Sequence, residues 1–142
     1  MSTLERAIAI AATAHAGQID KAGAPYILHP LRVMLRVTTN AERIVAVLHD
    51  VVEDCEGWSF DRLLGEGYAP EIIAGLKSVT KVEGEAYEDF VKRAAAHPIG
   101  RRVKMADLTD NSDLSRISTP TAKDHERIAR YQKAIAYIQS LG

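Results

Sequence analysis

Residues 40–54 read NAERIVAVLHDVVED. Ile44, Val45, Val47, Leu48, Val51 and Val52 occupy much of the circumference that this stretch has as a helix, and a helix so widely apolar belongs in a protein interior. Asn40 can cap its start. Yet His49, Glu53, Asp50 and Asp54 fall within an arc of about 140° on one side, at 100° per residue. Three carboxylates that close together repel unless a cation or protons compensate. They also lie at the helix C-terminus, where the macrodipole disfavours negative charge. A sequence shaped only by stability places Lys or Arg there. The pattern therefore points to a metal or catalytic site on a partly buried helix.

The same 3.6-residue period runs outward in both directions. Leu4, Ala7, Ile8, Ala11, Ala12 and His15 share a face of a first helix, capped by Ser2 or Thr3 and stopped near Gly17. The stretch QIDKAGAPY breaks the pattern with Gly23 and Pro25 and reads as a loop. Pro30 opens a second helix over 30–38, with Leu31, Met34 and Leu35 spaced for packing. After the 40–54 helix, Ser59 caps a short one through Leu64, and Pro70 starts another carrying Ile72, Ile73 and Leu76. AYEDFVKRAAAH is helical, Pro98 begins a helix through about Asp110, and the last runs from about Ala122 to Ser140 on Ile128, Tyr131, Ile135 and Ile138. Sustained period-two alternation is absent, and no repeat or linker divides the chain. The expectation is one all-α domain over 1–142, a bundle of seven or eight helices.

Composition narrows the function. The 142 residues are 46% hydrophobic and 26% charged, with a formal net charge of −1. Such a balance gives no general attraction to nucleic acid or an anionic membrane, so an anionic ligand must be met by a local basic cluster. The N-terminus reads as a mature helix rather than a signal peptide, and no apolar run is long enough to span a bilayer. A lone cysteine, Cys55, rules out an internal disulfide and fits a soluble, cytoplasmic protein. Acids flank it, which opposes a reactive thiolate.

His49 and Asp50 can supply two ligands to one divalent ion, and further ligands must come from other helices. His29, in LHP at the mouth of the loop, is one candidate, although a histidine in that position is commonly a cap. Asp107 is another: Lys104, Asp107 and Asn111 form a polar stripe at helical spacing, which an ion pair between Lys104 and Asp107 would also explain. Two nitrogens and two oxygens with room for water suit Mn, Fe or Zn better than a closed structural zinc site.

The order of these motifs resembles the HD-domain hydrolases, in particular small stand-alone relatives of the hydrolase half of RelA/SpoT-type enzymes. The matching pieces are AHAGQ at 14–18, GAPYILHP at 23–30, LHDVVED at 48–54, VTK at 79–81 and VKMADLTDN at 103–111, spread over about three-quarters of the chain. The resemblance implies an all-α fold and a single Mn²⁺ on His29, His49, Asp50 and Asp107. It implies hydrolysis of the 3′-pyrophosphate of guanosine tetra- or pentaphosphate, giving GDP or GTP and pyrophosphate, with Glu53 and Asp54 orienting or deprotonating the water. Asn111 would contact the substrate near the metal, and Lys21 would face the nucleotide. Tyr26 can stack on a base or pack the loop; Lys81, Arg101, Lys104 and Arg116 are weaker cationic candidates, each of which a surface or ion-pair role would also explain. A homodimer is the oligomer the family suggests.

The chain departs from the family pattern at Asp20, Ala22, Leu108, Asp110 and Asp113, where basic or polar substrate-contacting residues are usual. Asp20 stands where that pattern has an arginine, and an acid there weakens polyphosphate binding unless it is turned away or paired. Two alternatives follow: a metal-dependent phosphohydrolase for a different nucleotide, or a nucleotide sensor without turnover. The intact Glu53–Asp54 pair opposes the sensor.

Overall fold

In the computed structural model, residues 2–142 are described, and they form nine helical segments. These are α1 Leu4–Ala14, α2 Leu28–Leu35, α3 Asn40–Leu48, α4 Val51–Asp54, α5 Phe60–Gly65, α6 Pro70–Ser78, α7 Tyr87–Ala96, α8 Pro98–Asn111 and α9 Ala122–Ser140. The all-α expectation holds among the described residues, which contain a single isolated bridge, Ile19 to Pro25, and no strand. Segments α3 and α4 together occupy the one helix expected over 40–54. It breaks at His49 and Asp50. The cause is local: both the backbone N–H of His49 and its ring Nδ1 turn to the Ala46 carbonyl, which a continuing helix would offer to residue 50.

Side-chain caps set most starts. Thr3 accepts from the Arg6 N–H, Ser59 from Arg62, and His97 Nδ1 from Ile99 and Gly100. Thr39 with Glu42 and Thr121 with Asp124 form reciprocal capping boxes. Thr39, not Asn40, is therefore the cap of α3. The second helix starts at Leu28 rather than Pro30 and ends at Leu35, which puts His29 inside its first turn. Leu35, expected to pack, is 76% exposed, as Val33 and Met34 supply the buried edge instead. In α1, Ile10 is buried and Ala12 exposed, a rotation of the expected face by a fraction of a turn.

Helix α3 is the axis of the fold. Val45, Ala46, Val47 and Leu48 are wholly buried, and α1, α2, α6 and α8 pack around them. Each of the larger side chains contributes on the order of 1.5–3 kcal/mol when fully removed from water. A second, smaller core joins α7, α8 and α9 through Val91, Ala95, Leu108, Ala134 and Ile138. Helix α8 serves both, with Val103 and Ala106 in the first and Leu108 in the second. Asp107 sits at that seam. No helix of the described residues is long and apolar enough to cross a membrane.

The α6–α8 contact requires Gly100. A Cβ there would lie 2.1 Å from Ser78 Oγ and 3.0 Å from the Ala94 carbonyl oxygen. Gly100→Ala is expected to destabilise the chain by about 1–3 kcal/mol in urea unfolding, as overpacking does. Adding Ser78→Ala should recover part of the loss, and an unchanged midpoint for the single variant would contradict the packing described.

Candidate metal centre and adjoining cleft

The break after Leu48 turns His49 and Asp50 inward together, and α2 and α8 bring His29 and Asp107 to meet them. His49 Nε2 lies 3.0 Å from Asp50 Oδ2 and 3.4 Å from Asp107 Oδ1. His29 Nε2 lies 2.9 Å from Asp107 Oδ1 and 4.0 Å from Asp50 Oδ2. One ligand atom each from His29, His49 and Asp50 falls within 4.8 Å of the others. Both imidazoles are buried, and Asp50 and Asp107 are nearly so.

The opposite ring nitrogens decide what this arrangement can do. His49 Nδ1 faces the Ala46 carbonyl and His29 Nδ1 faces Asp110 Oδ2 at 2.7 Å. Both partners accept only, so each Nδ1 carries the hydrogen and each Nε2 of a neutral ring presents a lone pair. Those lone pairs meet carboxylate oxygens, which also only accept. His49 Nε2 is a buried nitrogen without a well-formed hydrogen bond among the described residues. Two imidazole nitrogens and two carboxylates so disposed fit a divalent cation.

The electrostatics agree. Burial lowers His49, yet the Asp50 and Asp107 carboxylates outweigh it and hold it well above the ordinary range. Burial raises Asp107, but Lys104 and the two imidazoles pull it well below. The cluster can thus neutralise itself with protons on the rings, and a metal ion that takes the same positions releases them. Lys104 is buried, its Nζ 3.4 Å from Asp107 Oδ2 and 4.3 Å from the Phe90 ring centre. It pairs with Asp107 and does not line the cleft beside the site. Asn111 donates its amide to Asp107 Oδ1 at 3.1 Å. Tyr26 donates its hydroxyl to Asp50 and leans its ring on His15 and His29.

Glu53 and Asp54 follow at once on α4 but are exposed, where their helix position suggested at least partial burial. Burial of their inner parts and the charge of Asp50 push both carboxyls up, and the charge of Asp54 adds to the rise at Glu53.

A cleft of about 390 Å³ opens beside the cluster, lined among others by Lys21, Tyr26, His29, Arg32, Asn111 and Arg116. Arg127 adds a fourth cation. Its two acids are committed locally: Asp20 Oδ1 accepts from the Ala22 and Ala24 N–H groups, and Asp113 takes the Ser115 N–H and Arg116. Asp20 thus closes its own loop, while Arg32, Arg116 and Arg127 are paired in turn with Asp110, Asp113 and Asp124, and Lys21 completes the cationic lining. Leu108 and Asp110 are not substrate-facing at all. Leu108 is packed in the smaller core, and Asp110 is fully buried beneath His29. Sequence reading missed Arg32 and the role of Asp110; each stands three residues after a proposed ligand, on the same helical face, and that spacing was the available signal. Lys81 and Arg101 line no part of this cleft. A larger cleft of about 770 Å³ involves the ends of α7 and α9 and none of the predicted metal ligands or catalytic acids.

No family model matches the chain. A guanosine-3′,5′-bis(diphosphate) 3′-pyrophosphohydrolase of Vibrio cholerae is 32% identical over 145 residues, covering 92% of this chain and 20% of that protein. The bifunctional (p)ppGpp synthase/hydrolase SpoT of Escherichia coli is 32% identical over 142 residues, 89% of this chain and 20% of that protein. A probable GTP pyrophosphokinase of Mycobacterium leprae is 31% identical over 136 residues, 84% and 17%. The chain thus spans about a fifth of the length of these relatives. Among solved structures, one described as a metazoan ortholog of SpoT that hydrolyzes ppGpp superposes with a TM-score of 0.78 at 22% identity, over 97% of this chain and 85% of that one. It shares the fold.

Titrating Mn²⁺ into chelator-treated protein should raise the melting temperature, because a ligand at 100 times its Kd stabilises the folded state by about 2.7 kcal/mol. EDTA should reverse the shift, and Asp107→Asn should remove most of it. A melting temperature indifferent to every divalent ion tried would contradict a metal centre here.

Proposed function

We infer that this chain, a homologue of the RelA/SpoT-type hydrolase domain, holds one divalent cation on His29, His49, Asp50 and Asp107 and hydrolyses the 3′-pyrophosphate of guanosine tetra- or pentaphosphate. The products are GDP or GTP and pyrophosphate. What supports this most is a single observation: two buried imidazoles give up their Nδ1 hydrogens elsewhere and turn Nε2 toward two carboxylates. The mixed nitrogen and oxygen donors suit Mn, Fe or Zn, of which the family resemblance implies Mn²⁺, and the HD arrangement of His49 and Asp50 is the core of the set.

A bound divalent ion lowers the pKa of a water and offsets charge on a phosphoryl oxygen. The chain's own residues do the rest. Glu53 and Asp54, which follow Asp50 on α4, accept the proton of the attacking water and hold it in line. Lys21, Arg32 and Arg116 line the cleft and take the anionic oxygens of the pyrophosphate. Asn111 ties Asp107 in place while its amide edges the same cleft. Tyr26, its hydroxyl on Asp50, presents a ring face on which a base can stack. A buried lone thiol at Cys55 suits the reducing cytoplasm. The homodimer of the family belongs to the same reading.

The test supplies purified protein with Mn²⁺ and a nucleotide panel that includes guanosine tetraphosphate, with pyrophosphate and orthophosphate measured separately. Pyrophosphate from the alarmone is the expected result. Orthophosphate from another nucleotide would replace the substrate, and binding without turnover would make the chain a sensor. Glu53→Gln should lower turnover by about 10²–10⁴-fold, the usual worth of a general base, with metal content per chain unchanged.

A further inference from the structure

We propose that Asp110 is the positioning residue of this site: one buried carboxylate that holds His29 as an Nε2 ligand and braces Arg32 and Arg116 at the cleft wall. The inference rests on the cation site proposed above and extends it to how the two halves of the site are joined.

Asp110 is fully buried, on the last full turn of α8, three residues beyond Asp107. Its two oxygens face different tasks. Oδ2 accepts from His29 Nδ1 at 2.7 Å, and Oδ1 accepts from Arg32 Nε at 2.8 Å. Arg116 approaches Oδ2 at 3.6 Å and donates through the same nitrogen to the Asp110 carbonyl at 3.0 Å. Arg36 closes the shell at 3.9 Å. Arg32 and Arg116 are each about 30% exposed, and both line the cleft. Arg32 is held through Nε, which leaves its outer Nη groups to face an anion.

A carboxylate behind a ligating imidazole fixes the tautomer and the ring plane, and its loss commonly lowers metal affinity about 10–100-fold. Stability alone is a weak reason for such a group. A buried ion pair is often no better than apolar residues of the same volume. What the ionised Asp110 does that an apolar residue cannot is to orient three cationic or proton-bearing groups toward the site at once. Both of its roles act on the same neighbouring chemistry: the metal ligand on one oxygen, the phosphate-facing guanidinium on the other. One of the positions at which this chain departs from its family's usual residue is therefore the joint of its site.

Asp110→Asn keeps the volume but can satisfy only one of these roles, since the amide offers one acceptor and one donor group. Isothermal titration with Mn²⁺ alone is expected to show about a 10–100-fold loss of affinity in Asp110→Asn, and inorganic pyrophosphate binding in the presence of Mn²⁺ should weaken with it. Arg116→Gln should weaken pyrophosphate binding while Mn²⁺ affinity stays within about twofold. A folded Asp110→Asn variant with wild-type Mn²⁺ affinity overturns the proposal and leaves the hydrolase reading standing; a wild-type chain that binds no divalent ion overturns both. Should the variant fail to fold, ¹⁵N NMR of the His29 ring in Zn²⁺-loaded wild-type protein decides. A protonated Nδ1 supports the assignment, and a protonated Nε2 overturns it.

Discussion

The structure turns on one electrostatic constraint: four electron-pair donors from three parts of the chain converge where water is scarce. In a medium of effective dielectric near 20, two like charges about 4 Å apart repel by about 4 kcal/mol. Asp50 and Asp107 face His29 and His49 across distances of 2.9–4.0 Å, so the cluster needs positive charge in its midst. Protons on the imidazoles meet that need one way and a divalent ion meets it another. The surrounding fold is arranged to keep the second option available, because the hydrogens of both rings are drawn off by Ala46 and Asp110.

Several local irregularities acquire a reason from this constraint. The interruption of the central helix at His49 and Asp50 removes regular hydrogen bonding at the point where these two side chains turn toward the cluster. The apolar sheath of α3 makes the break tolerable, since Val47, Leu48 and Val51 remain wholly buried on either side of it. Helix α8 spans two cores, and its Asp107 is steadied from two directions by Lys104 and Asn111. A ligand held by packing on both sides of its helix has little freedom to drift, which is what positional precision in such a site requires.

The cleft shows how substitutions away from a family pattern can be absorbed. Asp20 and Asp113 bring negative charge to a basic surface, yet each is consumed by backbone N–H groups or by a neighbouring arginine. Asp110 goes further: fully buried, it accepts from His29 on one oxygen and from Arg32 on the other. Net charge along a sequence would have ranked all three as unfavourable to a phosphate ligand. Hydrogen bonding offsets part of this for Asp20, whose Oδ1 is turned to the N–H groups of its own loop.

The all-α class, the approximate helix count and the sites of most helix starts were legible in the chain, since helical period and capping chemistry are local. Period alone marked residues 40–54 as buried, and the crowding of acids at their end marked the site. Legible too were His29 and Asp107 as candidates, through motif order. Tertiary structure alone decided the rest: that Leu28 rather than Pro30 begins α2, that Leu35 is left in solvent, that Glu53 and Asp54 lie outside the buried cluster, and that Asp110 lies against His29. Side chains separated by up to 81 residues make these contacts. A one-dimensional pattern records which face a residue occupies on its own helix, but not which face of another helix comes to meet it.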